Sequence, residues 1–312
     1  MGGEKRRLGA LALAAGAAGI AFSAVLNKTI LEEGLSPLWL NVFRLGFSCL
    51  FLLPFFLRDA GARKAFGTLT RREKGLTLLS GLMLAGHFAS WAAALAWADS
   101  LIAASIWSTF SLLTVLGSAL FLGEKTPVPA LLGMVLAVCG VAICAADAQG
   151  ARLLGVAMAA LAAVTQAVYT LCGRAVRKKL DVLPYTMAVY SVALGALLLA
   201  ALLSGLPDAV SLKGLGVSML LALVCTLGGH SMQNYALRFY KAPTVSAVFL
   251  TEVFTGPALV FFILGEAPPM SSVLGGVVIL LGVGWYMLYE WRVAHGLVPS
   301  RRKPQECAEL PQ

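Results

Sequence analysis

Charge is what this chain has least of. Of its 312 residues only 12% are Asp, Glu, Lys or Arg, about half the share of a soluble domain. A water-soluble protein of this length must keep much of its outer face polar. The shortage excludes that class and leaves lipid as the solvent for most of the chain. Cysteine is sparse as well: six residues, at 49, 139, 144, 172, 225 and 307, with no CxxC spacing. That excludes a disulfide or metal framework. Five of the six lie in apolar segments, where Cys acts as a small apolar side chain. There is no GxSxG, no HExxH, no cluster of carboxylates and no nucleotide-binding loop. These absences argue against a membrane enzyme and against ATP as the direct energy source, and no cofactor is implied.

What is present is apolar length. Hydrophobic residues make up 59% of the chain, and the mean hydropathy is +0.84. Ten segments reach the roughly 20 apolar residues that a spanning helix needs: Leu8–Leu26, Leu38–Leu57, Leu76–Trp97, Leu101–Leu122, Val128–Ala146, Leu153–Cys172, Leu183–Leu203, Leu215–Leu237, Thr244–Leu264 and Met270–Trp291. They are too long and too continuously apolar for membrane strands. The fold class read here is therefore an all-α membrane protein of ten transmembrane helices. The polar tail after Trp291 carries Pro299 and Pro304 and is expected to be disordered.

Lys and Arg set the orientation. With the N-terminus inside, 20 of them fall in inner segments and only Lys28, Arg152 and Lys213 in outer ones, leaving Arg44 within a span. The reading is a multi-pass protein of the cell membrane with both termini cytoplasmic. The net charge of +9 marks one membrane face and implies no nucleic-acid partner. One rival concerns the start: Lys5-Arg6-Arg7, an apolar run and Ala21-Phe22-Ser23 also fit a cleaved signal peptide.

The chain repeats itself. LGEKTPVPALLGMVLAVCGV, from Leu122, aligns without a gap with LGEAPPMSSVLGGVVILLGV, from Leu264, at an offset of 142, and 9 of the 20 positions are identical. Ala94-Leu95 matches Ala236-Leu237 at the same offset, and Pro37 matches Pro184 if five residues are inserted between. Each copy joins a fourth or ninth span to the next, so the repeat holds five helices. Five is odd, so the second copy crosses in the opposite sense. The expected organisation is two inverted five-helix repeats, residues 1–148 and 149–291, followed by a cytoplasmic tail, 292–312. Inverted repeats of this kind build many secondary transporters. His87 and His230 are one residue out of register, about 100° around a helix, and are not equivalent.

Ten spans in two halves, each half closing on LGE, a turn and a Gly-spaced last helix, resemble the drug/metabolite transporter superfamily, most of all its EamA-type branch. Arg44 in NVFRLGF, the stretch LGEKTPVPALLG and the stretch FLTEVFTGPALVFFILGE carry the likeness, which covers residues 8–291. Val253 stands where the family often has Pro, with Pro257 one turn on. The resemblance implies transport of small organic solutes, often amino acids or other metabolites, frequently outward.

Ionisable side chains are costly in the bilayer and mark function by default. Glu252, mid-span in helix nine, is read as a proton-coupling group, a counter-charge for a substrate ammonium, or the partner of Arg44 in a structural ion pair. Arg44 is read as an interior structural or gating residue, with a substrate carboxylate as the alternative partner. His87 and His230 lie mid-helix, and Gln233 and Asn234 extend the stripe from His230. Trp107 and Phe110 share a face of span four, and Gln166 and Tyr169 share a face of span six. With Tyr190 these residues form a candidate aromatic and polar substrate site. Arg44, His87 and Glu252 are the coupling or gating candidates. Trp39, Trp97, Trp285 and Trp291 look like interface anchors, and Glu124 and Glu266 like caps for the helix that follows each. Ala12-xxx-Gly16, Ala15-xxx-Gly19 and the glycines at 275, 276, 282 and 284 permit close helix contact.

The function read from all this is a secondary transporter of a small amino-acid-like or amine metabolite, working by alternating access in the export direction. An importer or facilitator of a choline-like cation is the alternative, and a passive channel or lipid-handling protein the distant one. The partners are the substrate and the lipid bilayer. Proton coupling and a homodimer stay open.

Overall fold

The computed structural model of the chain describes residues 2–98, 100–124, 126–145, 153–207, 210–265, 270–294 and 297–298. Among the described residues there is no strand. The helices that matter are α1 (Arg7–Glu32), α2 (Pro37–Arg58), α3 (Arg71–Trp97), α4 (Ala103–Leu122), α5 (Val128–Ala145), α6 (Leu153–Arg177), α7 (Val182–Ser204), α8 (Leu212–Ala236), α9 (Ala242–Leu264) and α10 (Met270–Ala294). Nine candidate spans are found among the described residues, covering every one of these helices but α5. The 18 residues of α5 rise about 27 Å, a little less than the hydrocarbon core of a typical bilayer.

Local chemistry sets the helix starts. Ser36 caps α2 by accepting from the Trp39 N–H, with Pro37 in the first turn. At α3, Thr70 and Glu73 form a capping box, which satisfies two otherwise orphaned donors. The first helix continues to Glu32, beyond the segment expected from hydropathy, and buries Asn27, whose amide donates to the Ser23 carbonyl at 2.7 Å.

Which helix touches which follows the inverted repeat. Advancing each helix number by five maps the packing onto itself. The extensive α3–α6 contact mirrors α8–α1, α3–α7 mirrors α8–α2, and α4–α6 mirrors α9–α1. The α2–α7, α4–α9 and α5–α10 contacts map onto themselves. The chain is thus two inverted five-helix repeats packed about an internal pseudo-two-fold axis. The ends are duplicated too, with charge signs exchanged. Glu33, after α1, accepts from Lys213 of α8 at 2.7 Å and from Ser211 at 2.9 Å. At the opposite end Lys179, after α6, meets Glu73 of α3 at 2.7 Å. The bonds from Lys213 and Ser211 hold the Glu33 carboxyl below the usual carboxylate range.

Glycines let backbones approach where the sequence placed them. A Cβ on Gly19 would lie 2.7 Å from the Val224 carbonyl of α8, and one on Gly16 would lie 3.2 Å from the Gly229 carbonyl. The first helix is therefore built into the packing. In the α5–α10 pair, Gly133 faces the Gly282 carbonyl and Gly140 faces the Gly275 carbonyl.

Helices α4 and α9 are each broken in the middle, at the same point of the repeat. Helix α4 divides at Ser108-Thr109 and α9 at Leu250-Thr251, 142 residues apart. Proline is not the cause, because α4 has none there. At both breaks Thr bonds the carbonyl three residues back: Thr109 Oγ1 to Ile106 O at 2.7 Å and Thr251 Oγ1 to Val248 O at 2.8 Å. Backbone bonds of the same three-residue span tighten both turns.

Two sequence expectations change at this level. Glu124 caps a helix, but not the one that follows it. It accepts from the Ala242 N–H, in the first turn of α9, at 3.3 Å and from Arg174 of α6 at 2.7 Å, with Ser118 alongside. The reason is reach: LGE turns the carboxylate inward, where both partners converge. Losing that charge in Glu124→Gln should cost about 2–3 kcal/mol, as for a part-buried ion pair left with one member. Thermal unfolding of the variant in detergent measures it. Trp39 is buried, and its Nε1–H donates to the Gly205 carbonyl at 2.9 Å, so it ties α2 to the end of α7 and is not an interface anchor. Glu266 lies outside the described residues, as does the tail from residue 299.

Candidate functional site

The site begins with a guanidinium that has few partners. Arg44, on α2, is 1% exposed. Its Nε donates to Thr226 Oγ1 on α8 at 2.7 Å, and its central carbon lies 3.7 Å over the Phe88 ring of α3. Among the described residues this hydrogen bond and this ring contact are the ones shown for a head with five donors. On α8, His230 packs edge-on against Phe88, with ring centroids 4.9 Å apart. Phe88 and His230 are 142 residues apart, so they are counterparts in the two repeats, and the pseudo-axis passes between them. The duplication that excluded His87 as a match for His230 therefore pairs it with Phe88.

Around this pair the nominated residues gather. His87 and Tyr169 lie 5.9 and 6.0 Å from His230, centroid to centroid. His87 Nδ1 is 3.2 Å from the Ala162 carbonyl. A carbonyl only accepts, so that nitrogen carries the proton. Asn234 donates to the Tyr169 hydroxyl at 2.6 Å, and Gln233 donates to Thr170 at 3.3 Å. Trp107 stacks on Phe110 at 4.6 Å and lies 6.2 Å from His87. Trp91 adds a further ring 5.5 Å from Trp107.

A π-helical stretch, Ala222–Ser231, positions the α8 contribution. A π turn stacks residues five apart, so the Ser231 hydroxyl reaches the Thr226 carbonyl at 3.3 Å. Tyr190 of α7 then bonds both, at 2.9 Å to Ser231 and 3.2 Å to the Thr226 carbonyl. Such π segments occur preferentially at functional sites.

Glu252 stands apart. It opens the second half of α9 and is 5% exposed. Among the described residues no salt bridge joins it to Arg44, and its Oε2 has no hydrogen-bond partner. The salt bridge to Arg44, one of three readings open from sequence, is not among those the described residues make. The Glu252 counterpart in the first repeat is Phe110, so the charge exists in one half only. Gln166 is fully buried, with both side-chain polar atoms unpartnered. Trp107 Nε1, His230 Nδ1, Gln233 Oε1 and Asn234 Oδ1 also lack protein partners. Buried polar atoms without partners are few in most structures. Here Trp107, His230, Gln233 and Asn234 of the cluster each carry one.

A cavity of about 680 Å³ opens beside this cluster. Gly34, Ser36 to Trp39, Trp97 and Ser204 to Pro207 form its mouth, and Gly86, Ser90, Met158 and Leu161 lie deeper. From Trp97 to Gly86 it runs about 16 Å along α3. None of the nominated site residues lines it. It stops at Gly86 and Ser90, and His87 and Trp91 follow those residues directly in the chain. The polar cluster therefore adjoins the cavity wall on α3. Thr226, Phe88, Ser231 and Thr170 were not among the residues nominated from sequence. Phe88 was findable through the repeat offset. A lone Thr or Ser in an apolar run carries no signal.

Ten membrane helices in two inverted halves, enclosing a polar centre at the repeat interface, form an architecture shared by many membrane transporters. The EamA-like transporter family model matches residues 7–146 and again 153–288, and the chain belongs to that family. Among its relatives, an uncharacterized transporter from Archaeoglobus fulgidus is 26% identical over 284 residues, 89% of this chain and 96% of its own. Another, from Clostridium kluyveri, is 26% identical over 272 residues, 83% of this chain and 86% of its own. One solved crystal structure, 16% identical, superposes with a TM-score of 0.72 over 91% of this chain and 98% of its own, a likeness of fold alone. The protein is a multi-pass membrane transporter.

Proposed function

We propose that the chain is a secondary transporter of the cell membrane, with cytoplasmic termini, that exports a small amino-acid-like or amine metabolite by alternating access. The observation that supports this reading is Glu252, a buried carboxyl whose Oε2 has no hydrogen-bond partner and which forms no salt bridge among the described residues. A substrate ammonium supplies the missing partner, and Arg44, with donors to spare, receives a carboxylate. The rings of Phe88, His230, Tyr169 and Trp107, gathered on the Arg44 side, attract the ammonium. Gln166, Gln233, Asn234 and Tyr190 complete the lining. Glu252 also serves as the proton-coupling group, taking up a proton when the amine leaves, with Arg44 and His87 as gating residues.

The moving bodies are the two repeats, residues 1–148 and 149–291, and the duplicated breaks at Thr109 and Thr251 are their hinges. The outward direction follows the family likeness. The positive-inside orientation makes the cavity mouth external.

Two measurements test the reading. In a chain whose native cysteines are replaced, Ala89→Cys, in the cavity wall, is expected to react with an impermeant thiol reagent added outside intact cells. Labelling only from the cytoplasmic side overturns the orientation. In liposomes, internal unlabelled amino acids should accelerate uptake of a labelled one. Absence of that trans-stimulation across a panel of amino acids and amines overturns the carrier reading.

A further inference from the structure

The two repeats differ in length at one place. The connector between α2 and α3, residues 59–70, has twelve residues, and its counterpart between α7 and α8, residues 205–211, has seven. This accounts for the five residues by which the repeat offset falls from 147 at Pro37 and Pro184 to 142 further on. The added chain forms a short helix, Ala60–Ala65. Arg58, Arg63, Lys64, Arg71, Arg72 and Lys74 cluster on and beside it, and all six are exposed. The seven-residue counterpart contains no Lys or Arg.

The two acids in this stretch are already engaged. Asp59 caps the connector helix by accepting from the Ala62 N–H at 2.9 Å. Glu73 holds Thr70 and Lys179. Among the described residues none of the six cations has an ion-pair partner. The connector is also anchored. Ala62 and Leu69 are buried, Phe66 meets Phe56 edge-on at 6.3 Å, and the helix rests on α7. Just before it, Phe55 and Leu57 at the end of α2 are 63% and 54% exposed. Apolar side chains this exposed at a span end sit in lipid, so the cations lie at headgroup depth.

We propose that this connector is a preorganised binding surface for the headgroup phosphates of anionic phospholipids. Basic clusters directly beside a span attract anionic lipid, and each cation contributes severalfold in affinity. Exposed Phe55 and Leu57 favour lipid over an acidic protein segment as the occupant. The surface does not depend on what the protein carries.

The test uses the full chain in nanodiscs of phosphatidylcholine alone and of phosphatidylcholine with one quarter phosphatidylglycerol. Melting temperature and co-purified lipid are the readouts. The wild type is expected to melt higher in the mixed discs and to retain phosphatidylglycerol preferentially, because a ligand of the folded state stabilises it. R63Q/K64Q should lose about tenfold or more of that retention and melt as the wild type does in phosphatidylcholine. The charge-preserving R63K/K64R should keep both properties. Undiminished phosphatidylglycerol retention in R63Q/K64Q overturns the proposal. So does an equal fall in melting temperature in both disc types, which would mark these residues as structural. Equal loss of retention on neutralising Arg292 overturns it as well, since the attraction would then belong to the whole face.

Discussion

Gly282→Ala lowers the melting temperature of the protein, and Gly284→Ala, two residues further along the same helix, does not. A Cβ at 282 would lie 2.5 Å from the Gly133 carbonyl oxygen and 2.6 Å from the Ala137 nitrogen. Both are backbone atoms and cannot swing aside, so α5 and α10 must separate along much of their contact. Overpacking of this kind costs about 1–3 kcal/mol, and Gly282→Leu costs more. At 284 nothing lies within 4 Å of the added carbon. There the variant gains up to about 1 kcal/mol from the helix preference of Ala over Gly. Thermal unfolding of the two variants in one detergent measures the contrast. Equal melting temperatures would mean that the α5–α10 backbone contact is not what holds that pair. The comparison bears on the whole fold, because α5–α10 maps onto itself under the internal two-fold and joins the ends of both repeats.

Glu252→Gln separates stability from transport. Gln has nearly the shape of Glu, so packing at the start of the second α9 segment is retained. A carboxylate left without a hydrogen bond is expensive to bury, and removing its charge should leave stability unchanged or raise it by about 1–2 kcal/mol. Transport, on the reading proposed above, falls at least about tenfold, as expected for a lost charge-assisted contact, and its pH dependence disappears. Counterflow in liposomes at two pH values, alongside a melting curve, reads both effects. A variant that transports normally with an unchanged pH profile removes Glu252 from the mechanism. One that melts far lower shows the carboxylate to be structural.

These two predictions draw on different sources. Gly282 was visible in the sequence as a small residue in a spanning helix, one of four in α10. Only the packing distinguished it from Gly284, because helix rotation decides which glycine faces α5. Glu252 was visible as a charge in lipid. What it lacks, an Arg44 partner, was not visible, because Arg44 sits 208 residues away and takes Thr226 and Phe88 instead. Of the nominated site residues, Arg44, His87, Trp107, Phe110, Tyr169, Tyr190, His230, Gln233 and Asn234 belong to one connected cluster. Gln166 and Glu252 are buried without side-chain partners. No pattern in the sequence pointed to the 680 Å³ cavity, since small and apolar residues line most of it.

By itself, the sequence determined the ten spans, their helical character, the duplication and its inversion, and the face that carries the cations. Those properties are one-dimensional: in lipid every backbone polar group must be satisfied within its own helix, so hydropathy and length suffice. The tertiary structure alone decided that Phe88 meets His230, that Glu124 caps α9, and that α4 and α9 break at matching threonines. It also decided that the polar centre adjoins the cavity wall on α3. Such outcomes depend on how each helix is rotated and set against its neighbours, which close packing of the whole bundle settles and no single segment encodes.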